Sequence, residues 1–148
     1  LCVITGRGAM VVGEKCGLGW ETKGVYVKFQ GACTVLDLVH AFEAIGGDAR
    51  SDDIHFAIFD FLDVASQNVT ESEAEEIAAM DVGLAYSVPR LRFASVSTDE
   101  RILELWRHFV SVHSMPERHG VFSSLEQARA WVASIESNPP PSSLPRFR

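Results

Sequence analysis

The sequence is short of positive charge and of long apolar runs. Its 148 residues hold 13 Lys and Arg against 20 Asp and Glu, which gives a formal net charge of −7. A general nucleic-acid binder needs clustered Lys and Arg to neutralise phosphates, so we expect no nucleic-acid partner. No apolar run approaches the roughly 20 residues that a membrane-spanning helix requires, so no membrane span is predicted.

Cysteine is also scarce. Cys2, Cys16 and Cys33 are the only three, and none lies in a Cys-x-x-Cys pair. An odd number excludes a complete set of internal disulfides. The simplest interpretation is a cytoplasmic protein with reduced thiols, in which Cys33 belongs to the core.

The motifs that accompany most enzymes are missing. There is no Gly-x-Ser-x-Gly turn to present a nucleophile. Gly6-Arg7-Gly8 and Gly17-Leu18-Gly19 lack the strand and helix context of a nucleotide-binding loop. His108, His113 and His119 are separated by five and six residues, whereas a zinc-binding helix spaces its ligands by three or four. The sequence therefore predicts no catalytic residue, no cofactor and no metal site.

The two ends differ in composition from the middle. Residues 137–148 hold four of the six prolines together with Ser and Arg, which predicts a disordered tail. Residues 1–9 lack the apolar segment of a signal peptide and are interpreted as a flexible extension or as residues added in cloning. Residues 10–136 are predicted to form one domain.

Strands and helices alternate along that domain. Residues 24–30 alternate apolar and polar side chains as a half-buried strand does, before Gly31 breaks the pattern. Residues 54–62 are almost all apolar, which is typical of a central strand covered on both faces. Further strands are predicted over 91–96 and 120–122. Helices are predicted to begin at capping residues near Thr34, Thr70, Thr98 and Ser124.

This order predicts an α/β domain with a largely parallel sheet. One more strand is expected within residues 10–22. The connection from it to residues 24–30 is too short for a crossover helix, so this pair should be antiparallel.

A group of short motifs then points to a family. They are Trp20-Glu21-x-Lys23-Gly24-Val25-Tyr26-Val27 with Gly31 and Thr34 behind it, Phe59-Asp60, Ile77-Ala78-Ala79-Met80-Asp81, Thr98-Asp99-Glu100, and the stretch from Val121 to Trp131. With these motifs, residues 17–135 resemble the small bacterial SpoIIAA-like proteins, which have the STAS fold. That fold is related in shape to anti-sigma-factor antagonists and to the Sec14 lipid-transfer fold. The resemblance implies a mixed, mostly parallel sheet of four or five strands, with about four helices mainly on one face.

The family's regulatory chemistry is a phosphorylation switch. In true antagonists a Ser lies at the start of a helix, directly after a strand and in an Asp-Ser-(Ser/Thr)-Gly pattern, and its phosphorylation breaks a protein complex. Residues 60–70 of this chain keep the Asp but not the Ser-Gly pattern. The phosphorylation site is therefore not assigned here. Ser66 and Thr70 are hydroxyls in the same stretch, and Thr70 is better explained as a helix cap.

Three acids are the most interesting candidates for a ligand or partner contact. Asp60 and Asp63 are expected at the carboxyl end of the predicted central strand, and ligands of open α/β sheets bind beyond the carboxyl ends of strands. The alternative is that Asp60 caps nearby backbone amides, as Asp does in turns. Asp81 lies in mid-helix among small apolar residues, either as a polar group in a pocket or in a structural ion pair with Arg90 or Arg92. The candidate contact residues are Asp60, Asp63, Ser66, Thr70 and Asp81.

Three classes of function remain. The first is a non-enzymatic regulatory or protein-interaction module, with a homodimer as one form of it. The second is a small carrier that holds an apolar or anionic molecule, for which the helix side chains Phe42, Met80, Leu84, Trp106 and Phe109 would supply the surface. The third, an enzyme using Asp60 and Asp63, has no accompanying motif. A deep pocket beside Asp60 would favour the carrier or the enzyme. A filled core with an exposed apolar patch would favour the protein-interaction module.

Overall fold

The computed structural model describes residues 9–11 and 16–137, with side chains over 16–134. The strands are β1 (Ala9–Val11), β2 (Cys16–Glu21), β3 (Gly24–Cys33), β4 (Phe56–Gln67), β5 (Arg92–Val96) and β6 (His119–Phe122). The helices are α1 (Val35–Gly46), α2 (Glu71–Ser87), α3 (Glu100–Val112) and α4 (Leu125–Ser137), with short 3-10 turns at Ala49–Asp53 and Pro116–Arg118. The predicted extension and tail lie outside these residues, apart from Ala9 and Ser137, and stay predictions.

The strands stand in the sheet in the order in which they occur in the chain. β1 pairs with β2 and β2 with β3 in antiparallel fashion, and the remaining pairs are parallel. The prediction of a mixed, mostly parallel sheet is therefore confirmed, including its antiparallel beginning. The three-residue β1 was not predicted as a separate strand, because a strand of that length has too few residues to show an alternating pattern.

The two faces of the sheet are covered unequally. α1, α2 and α3 pack on one face around Phe59, whose ring contacts five other aromatic rings at centroid distances of 5.3 to 6.4 Å. α4 alone packs on the other face, where Ala128 and Val132 contact Ile58 and its neighbours. This arrangement, with three helices on one face and one on the other, agrees with the expectation that the helices lie mainly on one face of the sheet. Among the described helices, none is both long and apolar enough to cross a membrane.

Two strands are longer than their sequence patterns predict. Gly31 does not end β3 but lies within it at φ 68°, next to an irregularity in the pairing with β4. A bulge of this kind uses the conformational freedom of glycine and lets the strand continue. β4 runs on to Gln67, and beyond Asp60 it pairs with β3 alone. The apolar run in the sequence covers only the first half of β4, which is the part that is buried. The second half of the strand is more exposed and carries polar residues.

The start of α2 shows the reciprocal contacts of a capping box. The hydroxyl of Thr70 accepts a hydrogen bond from the amide of Glu73 at 3.1 Å, and the Glu73 carboxylate accepts one from the amide of Thr70 at 3.1 Å. Two of the four otherwise unpaired amides at the helix start are satisfied in this way. The position predicted for this helix start is thus the observed one.

Replacing Thr70 should weaken the protein through this helix end. We expect Thr70→Ala to lower the free energy of unfolding by about 1 kcal/mol, because the Glu73 amide loses its partner. Urea denaturation followed by circular dichroism measures the change. Ser72→Ala, an exposed position two residues further on, serves as the control and should change it by less than about 0.5 kcal/mol. Equal effects of the two substitutions would contradict the capping role.

Candidate functional site

Four polar side chains meet on the face of the sheet that α4 covers. Tyr26 and Lys28 come from β3, and Asp60 and Asp63 come from β4. The carboxylate of Asp60 is fully buried, and three protein groups surround it. Its Oδ1 accepts a hydrogen bond from the amide of Leu62 at 2.8 Å. Its Oδ2 accepts a short hydrogen bond from the Tyr26 hydroxyl and lies 3.4 Å from Nζ of Lys28.

The bond to Leu62 explains why an Asp stands at this position. Lys28 pairs with Asp60 and Gln30 with Asp63, so two residues of β4 lie opposite one residue of β3. In such a bulge the extra residue is left without a place in the ladder of backbone hydrogen bonds. The Asp60 side chain supplies the missing acceptor. This is the capping alternative stated above for Asp60, and it leaves the carboxylate with no obvious free position for a ligand.

Lys28 links the two carboxylates. Its Nζ lies 2.7 Å from the Asp63 carboxylate, which is itself largely exposed. Burial lowers the pKa of Lys28, but the hydrogen bond to Asp63 and the charges of Asp60 and Asp63 together raise it above the ordinary 10.5. The stabilising effect of Lys28 is therefore fully present below pH 10.5 and is lost as the pH rises through its raised pKa.

The second polar cluster lies on the opposite face, where Asp81 and His113 are buried and the side chain of His119 is 4% exposed. Asp81 comes from the middle of α2, His113 directly follows α3, and His119 begins β6. Nε2 of His113 and Nε2 of His119 each lie 2.9 Å from Oδ2 of Asp81. The imidazole of His119 stacks on Phe93 with centroids 5.4 Å apart, so apolar side chains close the cluster on that side.

The contacts of Asp81 are close but poorly directed. Neither carboxylate oxygen has a well-aligned hydrogen-bond partner among the described residues, although both ring nitrogens are near. The two ring nitrogens are the nearest polar groups to this buried carboxylate, and removing one member of a buried polar group of this kind is strongly destabilising. Asp81 thereby connects α2 to α3 and to β6.

Three groups of these types within 4.8 Å could in principle hold a metal ion. The backbone contact of His113 argues against it. The amide of Met115 donates to Nδ1 of His113 at 2.9 Å, so the proton of the neutral ring is on Nε2, the nitrogen that faces Asp81. A histidine that binds metal through Nε2 donates from Nδ1 instead. Only Asp81 and His119 are left as ligands, and the set does not fit a metal site.

The five residues proposed from the sequence do not form one site. Asp60 and Asp63 are joined through Lys28, whereas Ser66 is exposed on β4 opposite Ala32, in the strand and not at a helix start. Thr70 caps α2 as described above.

Asp81 lies on the other face of the sheet, and its neighbours are His113 and His119, not the arginines considered from the sequence. From the sequence, His113 and His119 were considered only as zinc ligands. Their contact with Asp81 was not predicted, because the cluster draws one residue from each of three elements and so has no local spacing. The stacking of His119 on Phe93 has no sequence signal either.

Removing the carboxylate of Asp63 should change the titration of Lys28. We expect Asp63→Asn to lower the pKa of Lys28, because this substitution removes one of the two charges that raise it and leaves only an uncharged, weaker acceptor for the hydrogen bond. Nuclear magnetic resonance of the lysine side-chain carbons over pH 9 to 12, estimated from the usual lysine range, measures the change. Glu71→Gln removes an equal charge at the start of α2 and should leave it unchanged. A Lys28 titration that is the same in Asp63→Asn and wild type would rule out the pairing.

Removing the carboxylate of Asp81 should be costly. We expect Asp81→Ala to lower the free energy of unfolding by about 3 kcal/mol, because two ring nitrogens lose their buried partner. Glu104→Ala, an exposed acid on α3, is the control and should change it by less than about 0.5 kcal/mol. Urea denaturation measures both. Dialysis of the wild-type protein against EDTA should leave the urea concentration at the midpoint of unfolding unchanged. A lower midpoint after dialysis would show that these residues do bind a metal ion.

Comparison with known proteins finds the same architecture elsewhere. The anti-sigma factor antagonist SpoIIAA in its unphosphorylated form matches with a TM-score of 0.54 and 9% sequence identity, over 80% of this chain and 97% of that chain. An uncharacterized protein from the DUF3478 family with a SpoIIAA-like fold, from Shewanella loihica, has a TM-score of 0.47 and 14% identity, over 79% and 91% of the two chains. No family model and no curated protein matches the sequence. The fold implied by the sequence motifs is confirmed by the first of these structures: the chain has a SpoIIAA-like fold.

Proposed function

We propose that this protein is a non-enzymatic regulatory domain of the bacterial cytoplasm that acts by binding another protein. The observation that carries the proposal is the outer side of α2, termed here the α2 face and formed by Ala79, Met80, Gly83, Tyr86 and Ser87. All five are exposed, and the side chain of Tyr86 is 63% accessible. The one charged residue between 77 and 87 is Asp81, and it is buried.

An uncharged outer helix face is unusual in a chain with 22% charged residues and a net charge of −7. A surface helix normally carries charged and polar residues on the side that faces solvent. A helix whose outer side lacks charge is typical of a contact with another molecule. The first turns of α2 follow the usual pattern, with exposed Glu71, Glu75 and Glu76. The change from acidic to uncharged along a single helix supports a contact with another protein at its second half.

The packing of the interior also supports a protein-binding function and argues against a carrier of apolar molecules. Two cavities beside Trp106 are each about 10 Å³ in volume, which is no more than one water molecule needs. Phe42, Trp106 and Phe109, which were candidates for an apolar ligand surface, are buried against other rings. Met80 is not part of that core and contributes to the α2 face instead.

An open cleft of about 230 Å³ offers a place for the alternative function, the binding of a small anionic molecule. Trp20, Lys23 and Arg50 line it, and the indole Nε1 of Trp20 has no partner among the described residues. The cleft is smaller than most ligand sites, which begin near 300 Å³. Asp53 and Glu21 add negative charge to it, and Arg50 is already bound to Asp48 at 2.8 Å.

Asp60 gives little support to an enzymatic role. A general base must have a lone pair within reach of the substrate. Both oxygens of this carboxylate are engaged with protein groups, and the residue is fully buried.

Photo-crosslinking of the protein to its partners in living cells tests the proposal. A photoreactive phenylalanine analogue replaces Tyr86 in one variant and Ala130, an exposed residue on α4, in a matched control. We expect a discrete protein adduct from position 86 and none from position 130, because only the α2 face meets a partner. No adduct at 86, or the same adducts from both positions, would overturn the proposal. Native mass spectrometry of the purified protein adds a second criterion, since a bound small molecule lost on denaturation favours the carrier.

A further inference from the structure

Two arginines are buried where two parallel strands begin. Arg92 is the first residue of β5, and Arg118 immediately precedes β6. Because Phe93 pairs with His119 in the parallel ladder of these strands, the residues before them, Arg92 and Arg118, stand next to one another. Only 6% of Arg92 and 4% of Arg118 is exposed. Burial, and after it the charge of Arg118, lowers the pKa of Arg92 below its usual range.

Neither arginine has the counter-ion that a buried charge requires. No carboxylate among the described residues forms an ion pair with either guanidinium. The charge of Glu117 acts favourably on Arg92, but Glu117 is exposed and makes no ion pair within the described part of the chain. Arginines are almost never fully buried unless they are paired, because an uncompensated charge in the interior is costly.

The exposed arginines show the opposite pattern. Four of them each bind a surface carboxylate, and these are Arg50, Arg101, Arg107 and Arg129. An ion pair contributes least at such positions, because water screens both charges. Arg50 and Arg101 bind in the same manner, since Nε and Nη2 of the guanidinium both donate to the carboxylate of an Asp. These two nitrogens form the edge of a guanidinium that holds two oxygens at once.

That edge has no partner in the two buried arginines. Nη1 of Arg92 donates to the carbonyl of Leu91, and Nη1 of Arg118 donates to the carbonyl of Ala85, both at 3.3 Å. Nε and Nη2 of both side chains have no hydrogen-bond partner among the described residues, and none of these four nitrogens is completely shielded from solvent. Two donor edges of the kind that binds oxyanions therefore reach solvent side by side.

A structural role explains only part of this arrangement. The carbonyl of Ala85 lies in the last turn of α2, where carbonyls lack amide partners, so Arg118 stabilises the end of this helix through Nη1. A single Nη1 contact needs neither a second arginine nor the Nε–Nη2 edge. The remaining donors and the second positive charge point to an anion from outside the fold.

We propose that Arg92 and Arg118 together bind the phosphate group of a phosphate monoester through their Nε–Nη2 edges. Such a group carries nearly two negative charges at pH 7 and three acceptor oxygens, which matches two adjacent arginines. A carboxylate needs only one such edge, as at Arg50. The site lies on the inner side of α2, where Ala85 is buried, and is separate from the α2 face. It adds a ligand to the proposed function and does not depend on it.

Titration with inorganic phosphate at constant ionic strength tests the site. We expect the Nε–H signals of two arginines to shift in proton–nitrogen NMR spectra and to saturate with a dissociation constant of about 1 to 10 mM, as for a small ion held by charge-assisted bonds. Arg92→Gln and Arg118→Gln should each raise that constant about tenfold, because each removes a charged donor edge. Arg107→Gln removes an exposed arginine and should leave it unchanged.

Thermal unfolding gives a second measurement on the same variants. Because phosphate binds only the folded site, about 20 mM phosphate should raise the unfolding midpoint of the wild type above that in chloride of equal ionic strength. Arg92→Gln should show little of this rise. Arg92→Lys keeps the charge but lacks the two-nitrogen edge, so its phosphate affinity should lie between those of wild type and Arg92→Gln. No saturable shift in the wild type up to about 50 mM phosphate, or equal binding by Arg92→Gln, would overturn the proposal.

Two further probes distinguish the sources of the phosphate group. Glycerol 3-phosphate represents a small ester, and a short phosphoserine peptide represents a segment of a phosphorylated protein. The probe that binds more tightly than inorganic phosphate identifies the source, and weaker binding of both would contradict a monoester site. The crosslinking from position 86 does not involve these arginines, so its outcome remains a separate test of the proposed function.

Discussion

Packing around the ring of Phe59 is the interaction on which the rest of the structure depends. This side chain lies in the middle of β4 and contacts the rings of Phe29, Phe42, Phe93 and Trp106, which belong to two neighbouring strands and two helices. Edge-to-face contacts of this kind add to the gain from burial. The interior is filled by these rings, so no ligand-sized chamber is formed among them.

Much of the fold could be predicted because its signals are local. Capping residues mark the start of α2, and the alternating residues of β3 and the apolar run of β4 mark the two central strands. The ends of strands could not be predicted in the same way. The second half of β4 pairs with one neighbour only and is exposed, so its side chains are polar like those of a loop. Gly31 looks like a break from its identity alone, although its conformation fits a bulge.

The candidate sites divide along the same lines. The contact of Asp60 with a nearby amide could be predicted, since an Asp that accepts a bond from a residue two positions on is a local feature. Its expected place at the end of the strand was wrong, because β4 continues to Gln67. The group formed by Asp81, His113 and His119 depends on how three elements pack. The α2 face has an intermediate character, because helical spacing is in the sequence but exposure is not.

The single helix on the second face has a consequence for synthesis. Ile58, Ala94 and Val96 are covered by α4, which follows all six strands that the structure describes. While the chain is being made, the sheet can assemble with its first three helices, yet this apolar surface stays open until residues 125–134 leave the ribosome. Nascent chains with such a surface are prone to aggregate. The last helix is therefore the element that closes this surface, and a chain interrupted before residue 125 leaves it open to solvent.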